Sequence, residues 1–267
     1  LQDTRVRDIQ ADIADAAQLR DLMTPDLVGV AHLAGVVSGT AEADFDLGMR
    51  VNLDGTRTLL EAARSLGRPI PFLFSSSLAV YGGALPDVVN DNTRPDPQSS
   101  YGIQKLIGEL LVADYTRKGY IDGRAARLMT VTVRPGRPNG AASSFFSGIL
   151  REPLAGEEAI CPVDASVSHP VSSPQRTVEG LIAVYEASRE AFLGRSALYL
   201  PALNVTVQQM LDALEAVAGP AVRARVRFER DERIAGIVAN WPTGATAARA
   251  AALGLKADER FTDIVRQ

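Results

Sequence analysis

Apolar and polar positions alternate along this chain in two rhythms. Val28-Gly29-Val30-Ala31-His32-Leu33-Ala34-Gly35 and Pro71-Phe72-Leu73-Phe74 are short, nearly continuous apolar runs, the pattern of strands buried on both faces; each ends in small or polar residues. Asp15 to Met23, Ala41 to Leu66 and Ser99 onward repeat apolar positions at helical spacing. Asp15 stands at a cap position, and Asn52-Leu53-Asp54-Gly55 interrupts the middle stretch. Val6 to Ile13 reads as a short strand reaching a polar turn. Strand and helix in alternation with short connections predict an α/β, Rossmann-like, doubly wound parallel sheet, whose ligands bind beyond the carboxyl ends of the strands.

Further along, Arg127 to Val133 is a β-rich run stopped by Pro135 and Pro138. Helices are predicted over Ser143 to Ala155, from Ser173-Pro174 to Ala187, and from Thr206 to Ala218 before Gly219-Pro220. Short strands are predicted over Glu158 to Val163, Ala197 to Leu200 and Val226 to Phe228, with an alanine-rich helical last third and a helix cut short at Asp263 to Gln267. The expected division is a dinucleotide-binding domain over residues 1–139 and a smaller substrate-binding lobe over 140–267, parts of which return to the main sheet. No G-x-G-x-x-G or G-x-x-G-x-x-G occurs, although such a turn normally opens this kind of sheet. The mid-pattern start at Leu1 is read as a missing first strand–helix unit.

Composition narrows the chemistry. With 46% hydrophobic residues the chain can bury a full core, and its net charge of −4 comes with no basic stripe, so neither nucleic acid nor an anionic membrane is expected as a partner. No apolar run is long enough to span a bilayer. The single cysteine, Cys161, fits a reducing, cytoplasmic setting and reads as a buried thiol. His32 and His169 are the only imidazoles and lack paired-ligand spacing, so no metal site is expected. His32 reads as a satisfied strand residue and His169 as a loop residue.

Tyr101 and Lys105 stand four residues apart at the start of an apolar-periodic helix, so both project from one face. An ammonium beside a phenol favours the phenolate, which can then act as a base near neutral pH. Taken with Ser75-Ser76-Ser77-Leu78-Ala79-Val80-Tyr81-Gly82 and Val133-Arg134-Pro135-Gly136, the segment Ser99 to Lys105 resembles the extended short-chain dehydrogenase/reductase family, which includes sugar-nucleotide epimerases and dehydratases. The resemblance implies that Tyr101 is the catalytic acid or base, that Lys105 lowers its pKa and binds the nicotinamide ribose, and that Ser77 holds the reacting oxygen. It places Asp12 and Ile13 at the adenine, Leu33, Ala34 and Gly35 beside the pyrophosphate and ribose, Ser75 and Pro135 at the cofactor, and Asn52 in the proton network. Plainer readings stand beside these: Asp12 as a cap, Asn52 as a helix kink, Ser75 and Ser76 as turn residues.

The cofactor implied is NAD, with NADP open, because the second-strand residue that reads the ribose is not in the sequence. The short later lobe, with Trp241 its only tryptophan, has no long insertion to hold a nucleotide diphosphate. The run from Val133 to Asn139, then Ala141 to Phe145 and Arg151 to Glu158, resembles the subgroup that oxidises a four-carbon sugar acid, D-erythronate, at C2. Such a substrate needs a carboxylate clamp, for which Arg137, Asn139, Ser143, Ser144 and Ser38 are the candidates. Epimerase or dehydratase chemistry is the enzyme alternative, and a dinucleotide-sensing protein without turnover the other. The family implies a homodimer, and the stripe of Leu106, Leu110, Leu111 and Ala113 suits one, although burial against the protein's own sheet would explain part of the same stripe.

Overall fold

A computed structural model describes residues 3–136, 141–192 and 197–267. The first half runs α1 (Ala16–Leu22), β1 (Val30–His32), α2 (Ser38–Ala43), α3 (Phe45–Gly48), a π-helical turn (Met49–Asp54), α4 (Gly55–Arg64), β2 (Pro71–Ser77), α5 (Ser100–Arg117), β3 (Asp122–Leu128) and β4 (Thr130–Val131). The second runs α6 (Ser144–Leu154), β5 (Ala159–Cys161), β6 (Ser168–Ser172), α7 (Pro174–Glu186), β7 (Ala197–Tyr199), β8 (Leu203–Thr206), α8 (Val207–Ala218), α9 (Pro220–Arg223), β9 (Val226–Phe228), α10 (Glu232–Val238), α11 (Ala248–Ala252) and α12 (Phe261–Arg266).

The main sheet has the order β1-β2-β3-β7, all parallel, with Phe74 opposite His32 and Ala125. Side chains on β2 alternate between its faces. Phe72 and Phe74 enter the core beneath α4 and α5 with Leu60 and Val112, while Leu73 enters the opposite core with Val184 and Leu198. Both faces of the sheet are therefore covered, which is the doubly wound arrangement. Burying each phenylalanine contributes roughly 1.5–3 kcal/mol. A separate core forms around Phe146, Ile149, Leu150, Met210, Leu211, Leu214 and Ile264. It packs α6, α8 and α12 together, alongside the β5-β9 ribbon and the β4-β6-β8 sheet.

Several local expectations change. Val6 to Ile13 forms no strand: the segment joins no ladder among the described residues, Val6 and Ile9 are about half exposed, and β-prone residues without a ladder gain nothing from extension. The run from Val28 to Gly35 is strand only over its middle three residues, and its ends, Val28 and Leu33, face solvent at the edge of the sheet. The strand expected from Arg127 to Val133 starts five residues earlier and breaks at Met129, where the chain passes from the main sheet to the second one. Ser75 and Ser76 are strand residues rather than turn residues, and His169 lies in β6 rather than a loop.

Other sequence signals appear as read. Asp15 caps α1 by accepting from Ala17 and Gln18 N–H. Thr206 and Gln209 form a full capping box on α8, which ends at Gly219 with φ +88°. The interruption near Asn52 is the π-turn itself.

Candidate active site

β2 delivers its last residue, Ser77, to the carboxyl edge of the sheet. There Ser77 Oγ accepts from Ala79 N–H at 3.1 Å and starts a short 3-10 turn. Ser99 caps α5 by accepting from Gly102 N–H at 3.2 Å, which fixes the first turn of that helix beside the same edge. A Cβ on Gly102 would come within 2.1 Å of the Ala79 carbonyl, so only glycine permits this approach. Tyr101 and Lys105 consequently face Ser77 and Ser75. Lys105 is buried, and its Nζ donates to the Ser75 carbonyl at 2.8 Å, 4.9 Å from the Phe74 ring and 5.7 Å from the Tyr101 ring.

The electrostatics differ in one respect from the expectation. Burial pushes the Tyr101 phenol above its usual pKa, and the groups that oppose this are the Ser77 hydroxyl and the Arg134 guanidinium, not Lys105. Burial also brings Lys105 down to about 8. Lys105 is committed to a strand carbonyl, while the longer-range charge that favours the phenolate comes from Arg134.

Asn52 ties the surrounding parts together. Its Oδ1 accepts from Val36 N–H at 2.9 Å, and its Nδ2 donates to the Val36 carbonyl at 3.2 Å and to Gln104 Oε1 at 2.8 Å. The loop after β1 is thereby fastened to α5. A Cβ on Gly35 would lie 2.9 Å from Asn52 Oδ1 and 3.6 Å from Lys105 Nζ, so the loop is bare where it passes the lysine. His32, below it in β1, is buried, shares a 2.8 Å hydrogen bond with Thr56 Oγ1, and is held down to about pKa 3 by burial and by Lys105.

These elements enclose a cavity of about 640 Å³. It is lined by Leu33, Gly35, Ser38, Ser75 to Ala79, Tyr101 and Lys105, and by Thr130, Arg134, Ser143, His169 and residues of α10 and beyond it to Trp241. Of the residues named from sequence, Ser77, Tyr101, Lys105, Ser75, Leu33, Gly35, Ser38 and Ser143 line it together. Asn52 sits one layer behind. Ala34, Ser144 and Pro135 are outside the lining, and Pro135 is exposed. Arg137 and Asn139 lie outside the described residues.

Asp12 and Ile13 are also outside the cavity. Asp12 is exposed and paired with Arg50 at 2.6 Å, and Ile13 packs on Gly55, behind the π-turn that carries Asn52. Arg134, Thr130 and His169 were not singled out by sequence. Arg134 stands directly before Pro135-Gly136, inside the motif quoted above, and its place in that motif is the one signal that could have marked it.

A bare glycine beside a buried ammonium, in a largely apolar cleft at the strand ends, fits a nicotinamide dinucleotide. The model of the NAD-dependent epimerase/dehydratase family matches residues 2–190. The chain belongs to that family. Over its whole length it is 52% identical to the D-erythronate dehydrogenase of Cupriavidus necator, covering 82% of that protein. It is 43% identical over 99% of its length to the D-erythronate dehydrogenase of Haemophilus influenzae, covering 84% of that relative. Among solved structures, the nucleoside-diphosphate-sugar epimerase of Agrobacterium tumefaciens superposes with a TM-score of 0.91 at 42% identity, over 96% of this chain and 76% of that one. As a member of this family the protein uses NAD and acts on a CH–OH group.

Proposed function

We propose that the protein oxidises D-erythronate at C2 to 2-dehydro-D-erythronate, with NAD as the acceptor. The reading is carried by Ser77, Tyr101 and Lys105 converging on one cavity, and it is supported by the names of the two relatives above. Ser77 holds the C2 oxygen, and Tyr101, as the phenolate that Ser77 and Arg134 favour, takes its proton as the C2 hydride leaves for the acceptor. Assistance of this kind contributes about 10²–10⁴ in rate. When bound, the nicotinamide supplies the hydride acceptor. Gly35, Leu33 and Lys105 would hold it against the strand ends.

The test is NADH formation by the intact protein across a panel of tetronates, polyols and nucleotide sugars. Turnover with D-erythronate, reduced at least a hundredfold in Tyr101→Phe with NAD affinity kept, is expected. Epimerase chemistry is the second reading, favoured by the name of the Agrobacterium structure. It returns the cofactor to its starting oxidation state, so a nucleotide sugar converted without net NADH would replace the first reading.

Two coarser properties complete the proposal. Ile103 and Leu110 on the outer face of α5 are 47% and 62% exposed, which supports a homodimer formed through that helix; a monomer mass in sedimentation at micromolar concentration would remove it. Among the described residues no helix is long and apolar enough to cross a membrane. The buried lone thiol of Cys161 fits a cytoplasmic location, to be checked by fractionation.

A further inference from the structure

Arg134 has its backbone taken and its side chain spare. Its N–H donates to Ser147 Oγ at 3.0 Å, and its carbonyl accepts from Arg151 Nη1 at 2.9 Å, so α6 clamps the main chain at this point. Arg151 is itself committed to Glu152 at 2.5 Å. The Arg134 guanidinium makes no ion pair among the described residues, although two acids, Glu42 and Glu232, also line the cavity. Its Nη2 is buried without a hydrogen-bond partner. A buried donor left without an acceptor costs about 1–3 kcal/mol, which a folded chain retains where a ligand supplies the missing atom. The guanidinium lies on the cavity wall, near enough to Tyr101 for each to influence the other's charge.

The chemistry of a 2-hydroxy acid sets a tight constraint. Its carboxylate carbon is bonded directly to the reacting carbon, so a cation that anchors the acid must lie within the immediate neighbourhood of the phenol that takes the proton. Lys105 is turned to the Ser75 carbonyl. Arg233 also lines the cavity, from α10, and is not among the groups that act on the Tyr101 phenol. Arg134 is the lining cation whose charge acts on the phenol, and a guanidinium can present two parallel N–H groups to a carboxylate.

We propose that Arg134 is the anchor for the substrate carboxylate and selects 2-hydroxy acids over neutral polyols and amides. The inference rests on the dehydrogenase reading above, and the experiment separates the two. Trp241 is the chain's single tryptophan and lines the same cavity, so its fluorescence reports binding without turnover.

In a Tyr101→Phe background with NAD present, D-erythronate and uncharged D-erythronamide are titrated against Trp241 emission. Arg134→Gln should weaken the acid by about 10–100-fold and the amide by less than about threefold, with Arg134→Lys recovering part of the loss. Equal affinity for the acid with and without Arg134→Gln, or equal loss for acid and amide, overturns the anchor. The separate wild-type assay for NADH decides the reaction. Charge-selective binding with no NADH from D-erythronate keeps the anchor and removes the dehydrogenase, whereas an unchanged KM for D-erythronate in Arg134→Gln does the reverse.

Discussion

Asn52 Nδ2 donates to Gln104 Oε1 at 2.8 Å, joining the π-turn to the buried face of the helix that carries Tyr101 and Lys105. The same side chain satisfies both the N–H and the carbonyl of Val36. One amide therefore sets the distance between the loop past Gly35 and the helix that carries Tyr101.

Replacing it should cost both stability and cofactor affinity. Asn52→Ala leaves polar groups at Val36 and Gln104 unsatisfied, for a loss of about 2–4 kcal/mol. NAD affinity should fall about tenfold, because the loop past Gly35 loses its fixture. Urea denaturation and calorimetric titration with NAD check this; a variant matching the parent in both would show that the amide is not the fixture.

Gly102→Ala should be among the most damaging small substitutions in the chain. The new methyl would meet the Ala79 carbonyl at 2.1 Å and Pro97 at 3.0 Å, and a backbone carbonyl cannot swing aside as a side chain can. The helix start must back away from the Ser77 turn. Turnover should drop at least a hundredfold even where circular dichroism shows the fold retained, and normal turnover would mean that the approach is looser than described.

Glu109 and Arg127 form a buried ion pair at 2.6 Å, in which Glu109 also accepts from Ser76 Oγ at 2.5 Å and Arg127 donates to the Tyr81 hydroxyl. Glu109→Ala leaves a guanidinium buried without its partner, a loss of about 3–5 kcal/mol. Adding Arg127→Met should recover part of it. A double-mutant cycle by denaturation tests the coupling, and strictly additive losses would show there is none.

Acid sensitivity should come partly from the two histidines. Burial lowers both His32 and His169 to about 3, from an ordinary 6.5. Because the folded value lies below the unfolded one, the unfolded chain binds protons first as pH falls. Stability is complete above about 6.5 and is lost from there toward 3, at about 1.4 kcal/mol per pH unit for each ring. Between pH 7 and 5 the two together should cost about 4 kcal/mol. His169→Gln should roughly halve that slope in urea midpoints taken at the two pH values, and an unchanged slope would show that this ring does not contribute.

The sequence displayed its helices and its chemistry more openly than its minor strands. Ser99, Thr206 and Asp15 announce helix starts because capping is a local transaction between a side chain and the next three N–H groups. Tyr101 and Lys105 are legible because one helix fixes their spacing. Asp122 to Ala126 is not, since Asp-Gly-Arg-Ala-Ala has little strand preference. Its extension is decided by the ladder with β2 and by the close approach of α5 at Gly123, where a Cβ would strike Thr116 Oγ1 at 2.4 Å. β6 likewise hides, with Pro170 in its middle opposite Asn204 of β8. In sequence only its place before Pro135-Gly136 marks Arg134; in the structure its unpartnered Nη2, with Ser147 and Arg151 holding its backbone, sets it apart.

α5 meets β2 at two rungs: Lys105 reaches the Ser75 carbonyl, and one turn later Glu109 takes the Ser76 hydroxyl. A helix latched at two heights can neither slide along the strand nor roll on it without surrendering both latches. Alignment of the phenol with the serine is accordingly completed during folding, before any substrate arrives.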